Sequence, residues 1–242
     1  MPENPYETRK LLSEYLLFHY GSRSEVLPDQ APGDMAKALD FAVRTPSHFT
    51  HREASRGLDL GCAVGRSTYE MSRSCCEVIG IDYSHAFVEA ASSIRSHPIA
   101  YERLDEGHLK TPLHAHLPED VRPERVHFEQ GDATNLRPDL GSFDLVHAAN
   151  LLCRLTDPQQ LLRRLPDLVA PAGQLVLATP CTWLGEFTRP EFWPKGSTLD
   201  WLKNCLEPNF ELETVTEEPF LIRETSRKFQ WTSSQLSRWK RR

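Results

Sequence analysis

The sequence predicts an α/β fold in which a mostly parallel sheet carries helices on both faces. Short apolar runs with a strand pattern alternate along the chain with segments whose apolar residues recur at helical spacing. A glycine-rich turn joins the first strand to the helix after it, in the sequence Gly57-Leu-Asp-Leu-Gly-Cys-Ala-Val-Gly-Arg66. Such alternation makes successive strands parallel, because each connecting helix must cross back over a face of the sheet.

Seven strands are predicted, and helices connect most of them. The predicted strands cover 58–60, 78–82, 126–129, 143–149, 173–179, 210–215 and part of the tail that ends at Arg242. Helices are predicted from Gly65, over 84–94, from Asp157 and over 198–206. A stretch rich in His, Pro, Glu and Arg over 97–124 interrupts the alternation. We therefore expect an insertion of loops and short pieces there.

Two helices are predicted before the first strand. Asn4 should cap the first helix, Pro5 should occupy its first turn and Glu7 should close a capping box, and Gly21 should end the helix. The second helix should start at Asp34 and end before Thr45-Pro46, because a residue before proline disfavours the helical conformation. The predicted organisation is an N-terminal helical cap over 1–55 and an α/β domain over 56–242.

Composition limits the classes of function. The formal net charge of −6 argues against a protein that binds nucleic acid through counterion release. The six cysteines form no CxxC pair or zinc spacing, which predicts reduced thiols in a cytoplasmic protein. No apolar run has the length of a membrane span, and the first residues do not look like a signal peptide. The histidines of the insertion have no regular ligand spacing, so no metal is expected: His97, His108, His114 and His116.

Acidic and amide residues follow the predicted strands where a ligand of a parallel sheet binds. Asp82 ends the second strand, Asp132 follows the third, and Asn150 follows the fourth. Ala63 replaces the middle glycine that a pyrophosphate requires, while Asp59 leads the turn and suits a cofactor with an amino group. S-adenosyl-L-methionine (SAM) is such a cofactor. The predicted SAM contacts are Asp59, Gly61, Cys62, Ala63, Gly65, Asp82, Tyr83, Asp132, Ala133 and Asn150.

Each of these residues also has a purely structural interpretation. The turn occurs in plain α/β proteins, Asp132 can simply cap a short turn, and Asn150 can begin a loop. Their occurrence in order at successive strand ends favours the cofactor site.

Several segments resemble class I SAM-dependent methyltransferases and, more closely, the 4-mercaptohistidine N1-methyltransferases of ovothiol and ovoselenol biosynthesis. The resemblance covers nearly the whole chain and is carried by 4–8, 14–21, 59–66, 131–135, 148–152 with 154–155, 182–183 with 186–188, and 222–225 with 227–230. It implies a Rossmann-like fold with a seven-stranded sheet. It also implies methyl transfer from SAM to an imidazole (π) nitrogen of 5-thiohistidine or 5-selenohistidine. The iron-dependent sulfoxide synthase of larger relatives is absent from this sequence, so a stand-alone methyltransferase is expected.

An amino-acid acceptor needs partners for its charged groups. Its carboxylate calls for an arginine fork, with Arg154, Arg223 and Arg227 as candidates, and its ammonium calls for Glu186 or Glu224. Asn150, Tyr6 and Trp183 are expected to position the reactants, and Phe229 to contact the acceptor. We expect the segments 181–197 and 219–230 to close over it. No general base is required, because a neutral imidazole nitrogen already carries a lone pair.

Two other interpretations remain open at this point. The chain could methylate a different small molecule, or it could bind SAM without catalysing a reaction. The predicted partner is a small molecule, with no nucleic acid and no membrane. The sequence leaves the oligomeric state open, and it does not distinguish sulfur from selenium in the acceptor.

Overall fold

The computed structural model describes residues 5–51 and 53–242 and centres on a seven-stranded sheet. The chain forms the strands β1 (Ala54–Leu60), β2 (Cys75–Asp82), β3 (Ile99–Glu106), β4 (Leu109–Ala115), β5 (Val126–Gln130), β6 (Phe143–Ala149), β7 (Val169–Thr179), β8 (Phe210–Arg223) and β9 (Phe229–Arg241). The sheet order is β5-β2-β1-β6-β7-β9-β8, and β3 and β4 form a separate two-stranded sheet. The first five strands of that order are parallel, while β9 is antiparallel to both of its neighbours.

Helices connect the parallel strands and precede the first one. They are α1 (Arg9–Tyr20), α2 (Arg23–Val26), α3 (Phe41–Ser47), α4 (Arg66–Met71), α5 (His85–Ser93), α6 (Pro158–Leu168) and α7 (Thr198–Leu206). Short 3-10 helices cover Pro5–Glu7, Gly33–Ala38, Pro123–Arg125, Pro138–Leu140, Leu152–Arg154 and Pro190–Phe192. Local signals fix the starts of three helices. Ser84, Asp157 and Ser197 each accept a hydrogen bond from a backbone N–H of the first turn.

The sheet separates two hydrophobic cores because successive strand residues point to opposite faces. On β7, Val176 and Ala178 pack with the N-terminal helices, whereas Leu175 and Leu177 pack on the side of α6 and α7. Each fully buried leucine contributes about 1.5–3 kcal/mol of hydrophobic free energy. Leu165 of α6 is completely buried, so its truncation to alanine would cost about 2–5 kcal/mol of stability.

The first helix begins later than the sequence predicts. Thr8 caps α1, since its side chain accepts a hydrogen bond from the N–H of Leu11. Glu7 instead accepts from the N–H groups of His85 and Ala86, at the start of α5. A carboxylate is stabilised at that position by the free N–H groups of the helix terminus. The predicted cap residue Asn4 lies outside the described residues.

The second predicted helix is divided into two pieces. Gly33–Ala38 is a 3-10 helix, and α3 continues through Pro46 instead of ending before it. The two pieces are separated at Asp40, whose φ of 57° interrupts the helical path. Pro46 is tolerated because it lies in the last turn of α3, where its missing N–H costs one hydrogen bond. The hydroxyl of Thr45 donates to the carbonyl of Phe41 in the same turn, at 3.1 Å.

The insertion over 97–124 is not a set of loops. Strands β3 and β4 form an antiparallel hairpin that turns at Gly107, whose φ of +57° suits glycine. Tyr101 and Ala115 are buried and join the N-terminal core. The sequence pattern did not predict this hairpin, because charged residues occupy its exposed face and Pro112 lies in its edge strand.

The last two strands are longer than predicted. The sequence predicted a strand over 210–215 and a further strand in the tail, whereas β8 and β9 together pair from Phe210 to Arg241. Most of the predicted closing segment 219–230 is therefore strand, and only 224–228 form the connecting loop. Among the described residues no helix has both the length and the apolar character needed to cross a membrane.

Candidate functional site

The carboxyl ends of the parallel strands meet at one edge of the sheet, and the backbone there adopts unusual conformations. After β1, Gly61, Ala63 and Gly65 have φ values of 70°, 49° and 85°. Asn150 after β6 and Cys181 after β7 also have positive φ, at 56° and 53°. Left-handed backbone costs free energy in residues other than glycine and accumulates at functional sites. Its concentration at this edge marks the candidate site.

Two glycines of the turn after β1 cannot carry a side chain. A Cβ on Gly65 would lie 2.6 Å from the ring of Phe128 and 2.9 Å from Ala91. A Cβ on Gly61 would lie 3.0 Å from Leu151. The turn is also tied to β2, because the N–H of Gly61 donates to the carbonyl of Ile81 at 2.8 Å. The glycines therefore let the turn pack closely against its neighbours.

Asp59 is not exposed to a ligand, contrary to the prediction. It is buried beneath the turn, and its Oδ2 accepts from the hydroxyls of Ser67 and Thr68, both at 2.7 Å. Its Oδ1 lies 2.7 Å from Nδ1 of His147. Burial alone would raise the pKa of Asp59, but His147 and the two hydroxyls hold it below its usual range. Asp59 fixes the start of α4 and the turn before it.

Asp82 ends β2 at the mouth of the turn. Its Oδ2 accepts from the N–H of Ala63 at 2.8 Å, and its Oδ1 accepts from the N–H of Ser84 at 2.9 Å. Burial raises the pKa of Asp82 to about 6 despite these hydrogen bonds. The side chain nevertheless keeps partial contact with solvent. Asp82 is thus a strongly desolvated carboxyl group with partial access to solvent, and the space beside it at this edge of the sheet is called the cleft below.

The other predicted cofactor residues differ in exposure. Tyr83 is 58% exposed beside Asp82. Asp132 is exposed and its Oδ1 accepts from the N–H and hydroxyl of Thr134, as a turn cap does. Ala133 is buried, and so is the Cys62 thiol, whose pKa is raised by burial. Cys62 is therefore part of the packing of the turn, and its backbone N–H donates to the carbonyl of Ile81 at 3.1 Å.

Asn150 is held at the end of β6. Its N–H donates to the carbonyl of Ala178 at 2.8 Å, and its Oδ1 accepts from the hydroxyl of Ser234 at 2.6 Å. These contacts fix the amide at the junction of β6, β7 and β9.

The N-terminal segment contributes an aromatic and cationic wall. The ring of Tyr6 packs against Tyr15 and Phe87, with centroids 6.1 and 5.8 Å away. Burial raises the pKa of Tyr6, while a hydrogen bond from Arg154 opposes this and the charge of Asp82 adds to it. The hydroxyl of Tyr6 therefore lies close to both a cation and an anion of the cleft. The guanidinium carbon of Arg154 also lies 4.6 Å from the ring centroid of Phe187.

The sequence analysis missed His19 as a residue of this wall. Burial lowers the pKa of His19 to about 3, with a further lowering by Arg66, yet the residue keeps partial contact with solvent. Its Nδ1 is buried without a hydrogen-bond partner among the described residues. The available signal was its spacing of four residues from Tyr15, which places both side chains on one face of α1. That spacing alone predicts a core position.

Two predicted acceptor residues are engaged elsewhere. Arg223 is buried and donates from Nη2 to Asp105 of the hairpin at 2.9 Å and from Nη1 to the carbonyl of Val26 at 3.0 Å. Trp183 donates its indole N–H to Thr198 at 3.1 Å and packs edge-on against Trp201 in α7. Both residues therefore hold elements together, so the structure does not bring them to the cleft.

The remaining acceptor candidates lie in loops. Glu186 and Arg227 are exposed, and Glu224 forms an ion pair with Lys228 at 2.6 Å. Phe229 begins β9 and packs with the N-terminal core, 5.9 Å from the guanidinium carbon of Arg223. Of the predicted arginines, Arg154 alone contacts the cleft wall. Within 5–51 and 53–242, no three His, Cys, Asp or Glu side chains are placed to hold a metal ion.

This combination of fold and site defines a class. The sheet order, with a reversed strand beside β7, is that of the Rossmann-like class I methyltransferases, whose cofactor is SAM. The chain belongs to the family described as methyltransferase domain, whose profile matches residues 29–235.

Comparisons with individual proteins agree with this assignment. The chain is 30% identical over 127 residues to a carboxy-S-adenosyl-L-methionine synthase from Pseudomonas aeruginosa, which covers 50% of this chain and 43% of that protein. It is 26% identical over 138 residues to a tRNA U34 carboxymethyltransferase from Idiomarina loihiensis, covering 56% of this chain and 36% of that protein. The chain thus spans less than half the length of these curated relatives.

Solved structures share the fold at low identity. The N-methyltransferase NodS from Bradyrhizobium japonicum, in complex with S-adenosyl-L-homocysteine, superposes with a TM-score of 0.54 at 15% identity, over 95% of this chain and 98% of NodS. The YcgJ protein from Bacillus subtilis gives a TM-score of 0.56 at 14% identity, over 84% of this chain and 98% of YcgJ. At these identities the similarity establishes the fold alone.

Proposed function

We propose that the protein transfers the methyl group of SAM to the ring nitrogen nearer the side chain of 5-thiohistidine or 5-selenohistidine. The observation that carries this proposal is the position of the Tyr6 hydroxyl between two opposite charges. Its pKa is lowered by a hydrogen bond from Arg154 and raised by the negative charge of Asp82. A cation for an amino-acid carboxylate therefore lies beside the carboxylate that suits the ribose of the donor. The resemblance to 4-mercaptohistidine N1-methyltransferases supplies the identity of the acceptor.

The residues at the strand ends fit the donor. Asp82 is a desolvated carboxyl group that can accept from ribose hydroxyls. The glycine turn reaches Asp82 through the N–H of Ala63. Asp132, Ala133 and Tyr83 would surround a flat ring beyond Asp82. When bound, SAM supplies an activated methyl group on a sulfonium. We propose that Asn150 orients the reactants from the end of β6.

The chain's own residues have a limited chemical task. A neutral imidazole nitrogen carries a lone pair, so no strong base is needed and the rate depends mainly on placement. Arg154 would hold the acceptor carboxylate. Glu224 would hold the ammonium, since it lies near Glu14 of α1, whose pKa is raised by burial and by Glu224. Tyr6 and Tyr15 would exclude water, which gives residues 1–55 the role of a cap over the cleft.

A different acceptor is the main rival to this proposal. The two sequence relatives are named for a carboxylated SAM and for a tRNA uridine, so related domains serve other acceptors. The net charge of −6 disfavours a polyanionic acceptor here. An amino-acid acceptor is also consistent with a cationic residue enclosed in the cleft wall.

Turnover on matched acceptors tests the proposal. The purified protein is incubated with SAM and with 5-thiohistidine, 5-selenohistidine or histidine, and the products are assigned by mass spectrometry and NMR. We expect both chalcogen compounds to be methylated at the ring nitrogen nearer the side chain, within about tenfold of each other. Histidine should react about 10⁴-fold more slowly, because its ring leaves the partners of the chalcogen unpaired. Efficient methylation of histidine, or a methyl group on sulfur or selenium, would overturn the acceptor assignment.

A further inference from the structure

His19 is an unexplained polar side chain in the wall of the cleft. Its Nδ1 is buried without a hydrogen-bond partner among the described residues. A buried polar atom without a partner costs about 1–3 kcal/mol, so native structures rarely keep one unless a ligand or water satisfies it. The ring is held by aromatic contacts on α1, with Tyr15 5.9 Å and Phe18 5.3 Å away between centroids. The imidazole is thus fixed in position rather than free to turn towards another partner.

The surroundings of His19 place it at the glycine turn. The hydroxyl of the next residue, Tyr20, donates to the carbonyl of Val64 inside the turn at 2.8 Å. Arg66 at the start of α4 donates from Nη1 to the carbonyl of His19 at 3.2 Å. The charges of Arg66 and Asp59 both act on the imidazole of His19. Two hydrogen bonds therefore hold the end of α1 against the turn and the start of α4.

The charges of this corner favour an anionic ligand group at His19. Arg66 carries a positive charge, and its Nε is paired with Glu70 at 2.9 Å, while Nη1 is used by the α1 carbonyl. Asp59, the acid behind the turn, is already satisfied by His147 and two hydroxyls. The unsatisfied group that remains is the imidazole, which can donate an N–H. A carboxylate is the ligand group that such a donor beside a guanidinium recognises.

We propose that His19 donates a hydrogen bond to the carboxylate of the amino-acid end of SAM and of its product S-adenosyl-L-homocysteine. The inference rests on the proposed SAM site, in which Asp82 holds the ribose at the other side of the turn. Asp82 then binds the ribose of the donor, and His19 binds the carboxylate of its amino-acid end. His19 is a donor-binding residue, and α1 is part of the cofactor site as well as of the cap.

A pair of ligands that differ in the amino-acid group tests the assignment. Calorimetry compares S-adenosyl-L-homocysteine with 5′-methylthioadenosine, which keeps the adenosine and the thioether but has no carboxylate or ammonium. In His19→Ala, we expect the affinity for S-adenosyl-L-homocysteine to fall about 10- to 100-fold, as for the loss of a hydrogen bond to a charged group. The affinity for 5′-methylthioadenosine should stay within about threefold. His19→Gln, which keeps an N–H donor, should recover part of the loss.

The controls separate failure of this inference from failure of the SAM site. His97→Ala removes an exposed histidine that is distant from His19 in the sequence. This variant should bind both ligands as the unaltered protein does. If the unaltered protein binds neither ligand, the proposed function fails. If it binds both and His19→Ala weakens both equally, or weakens neither, the SAM site stands and the role of His19 is wrong. Circular dichroism of each variant confirms that it is folded.

Discussion

The imidazole of His147 bridges Asp59 to Thr45 within the core beneath the glycine turn. Its Nδ1 lies 2.7 Å from Asp59 Oδ1, and its Nε2 lies 3.0 Å from Thr45 Oγ1. The Thr45 hydroxyl has one proton, which it donates to the carbonyl of Phe41 at 3.1 Å. Nε2 of His147 must therefore donate to Thr45. The glycine turn is thus tied through Asp59 and His147 to α3.

Loss of this bridge should reduce stability strongly. In His147→Ala, the carboxylate of Asp59 stays buried without its imidazole partner, which costs about 3–5 kcal/mol. Urea denaturation followed by circular dichroism measures the change in the free energy of unfolding. His127→Ala, at an exposed position of β5, is the matched control and should change stability by less than about 0.5 kcal/mol. A loss below about 1 kcal/mol for His147→Ala would contradict the bridge.

Removal of the Asp82 charge should weaken binding of the methyl donor and of its product. Asp82→Asn keeps the size of the side chain and removes a charged acceptor, so the affinity for S-adenosyl-L-homocysteine should fall about 10- to 100-fold. Isothermal calorimetry gives the dissociation constant. Asp139→Asn, at an exposed position near Arg137, serves as the control and should bind normally. Unchanged affinity in a folded Asp82→Asn would exclude Asp82 from the site.

Donor affinity should depend on pH through Asp82. The pKa of Asp82 is raised from 3.8 to about 6, mainly by burial. Ribose hydroxyls donate to the ionised carboxyl group, so binding favours the ionised form and releases a proton below pH 6. Affinity should rise about tenfold between pH 5 and pH 7 and level off above pH 7. In Asp82→Asn this dependence should disappear, and its persistence there would assign the titration to another group.

The same shift has a consequence for the stability of the ligand-free protein. A raised pKa means that the folded state binds more protons than the unfolded state between pH 3.8 and about 6. The contribution of Asp82 to the free energy of unfolding therefore decreases as pH rises through this interval. Denaturation of the unaltered protein and of Asp82→Asn across that interval should show the difference. An equal pH dependence in both proteins would remove Asp82 as its source.

Substitution of the three candidate arginines should affect different properties of the protein, namely acceptor binding or thermal stability. Arg154→Ala should raise the KM for the acceptor about 10- to 100-fold and leave donor affinity nearly unchanged, because it loses the fork that holds the carboxylate. Arg227→Ala, in an exposed loop, should have a much smaller effect. Arg223→Ala should instead lower the melting temperature, since its guanidinium joins α2 to the hairpin. Steady-state kinetics with thermal unfolding decides the ranking, and an effect on KM for Arg227→Ala alone would reverse it.

The central sheet was predictable because its signals are local. The apolar runs that became β1, β2, β6 and β7 are bounded by glycine, acid or proline residues, and Asp157 followed by Pro158 marks the start of α6. Asp82 and Asn150 could be placed at the site because a strand end fixes a side chain at the ligand edge of a parallel sheet. The fold class follows from this alternation alone.

The errors involve partners that are distant in the sequence. Glu7 was assigned to its own helix but contacts α5, and Arg223 was assigned to the acceptor but contacts Asp105. Trp183 faces α7 for a similar reason, since its indole N–H finds Thr198. A side chain in a loop can reach several elements, and its partner is decided by packing that no local pattern encodes. His19 was missed because an apolar helical face does not show which of its members lack partners.

The contacts of Arg223 also bear on the order in which the chain folds. Its Nη1 donates to the carbonyl of Val26 across 197 residues, and its Nη2 reaches Asp105 in the middle of the chain. Contacts of such sequence separation carry a large loop-closure entropy and form late. The cap therefore gains this support only after β8 has been made and has packed against α2. A nascent chain that stops before β8 would leave α2 and the β3–β4 hairpin without this support.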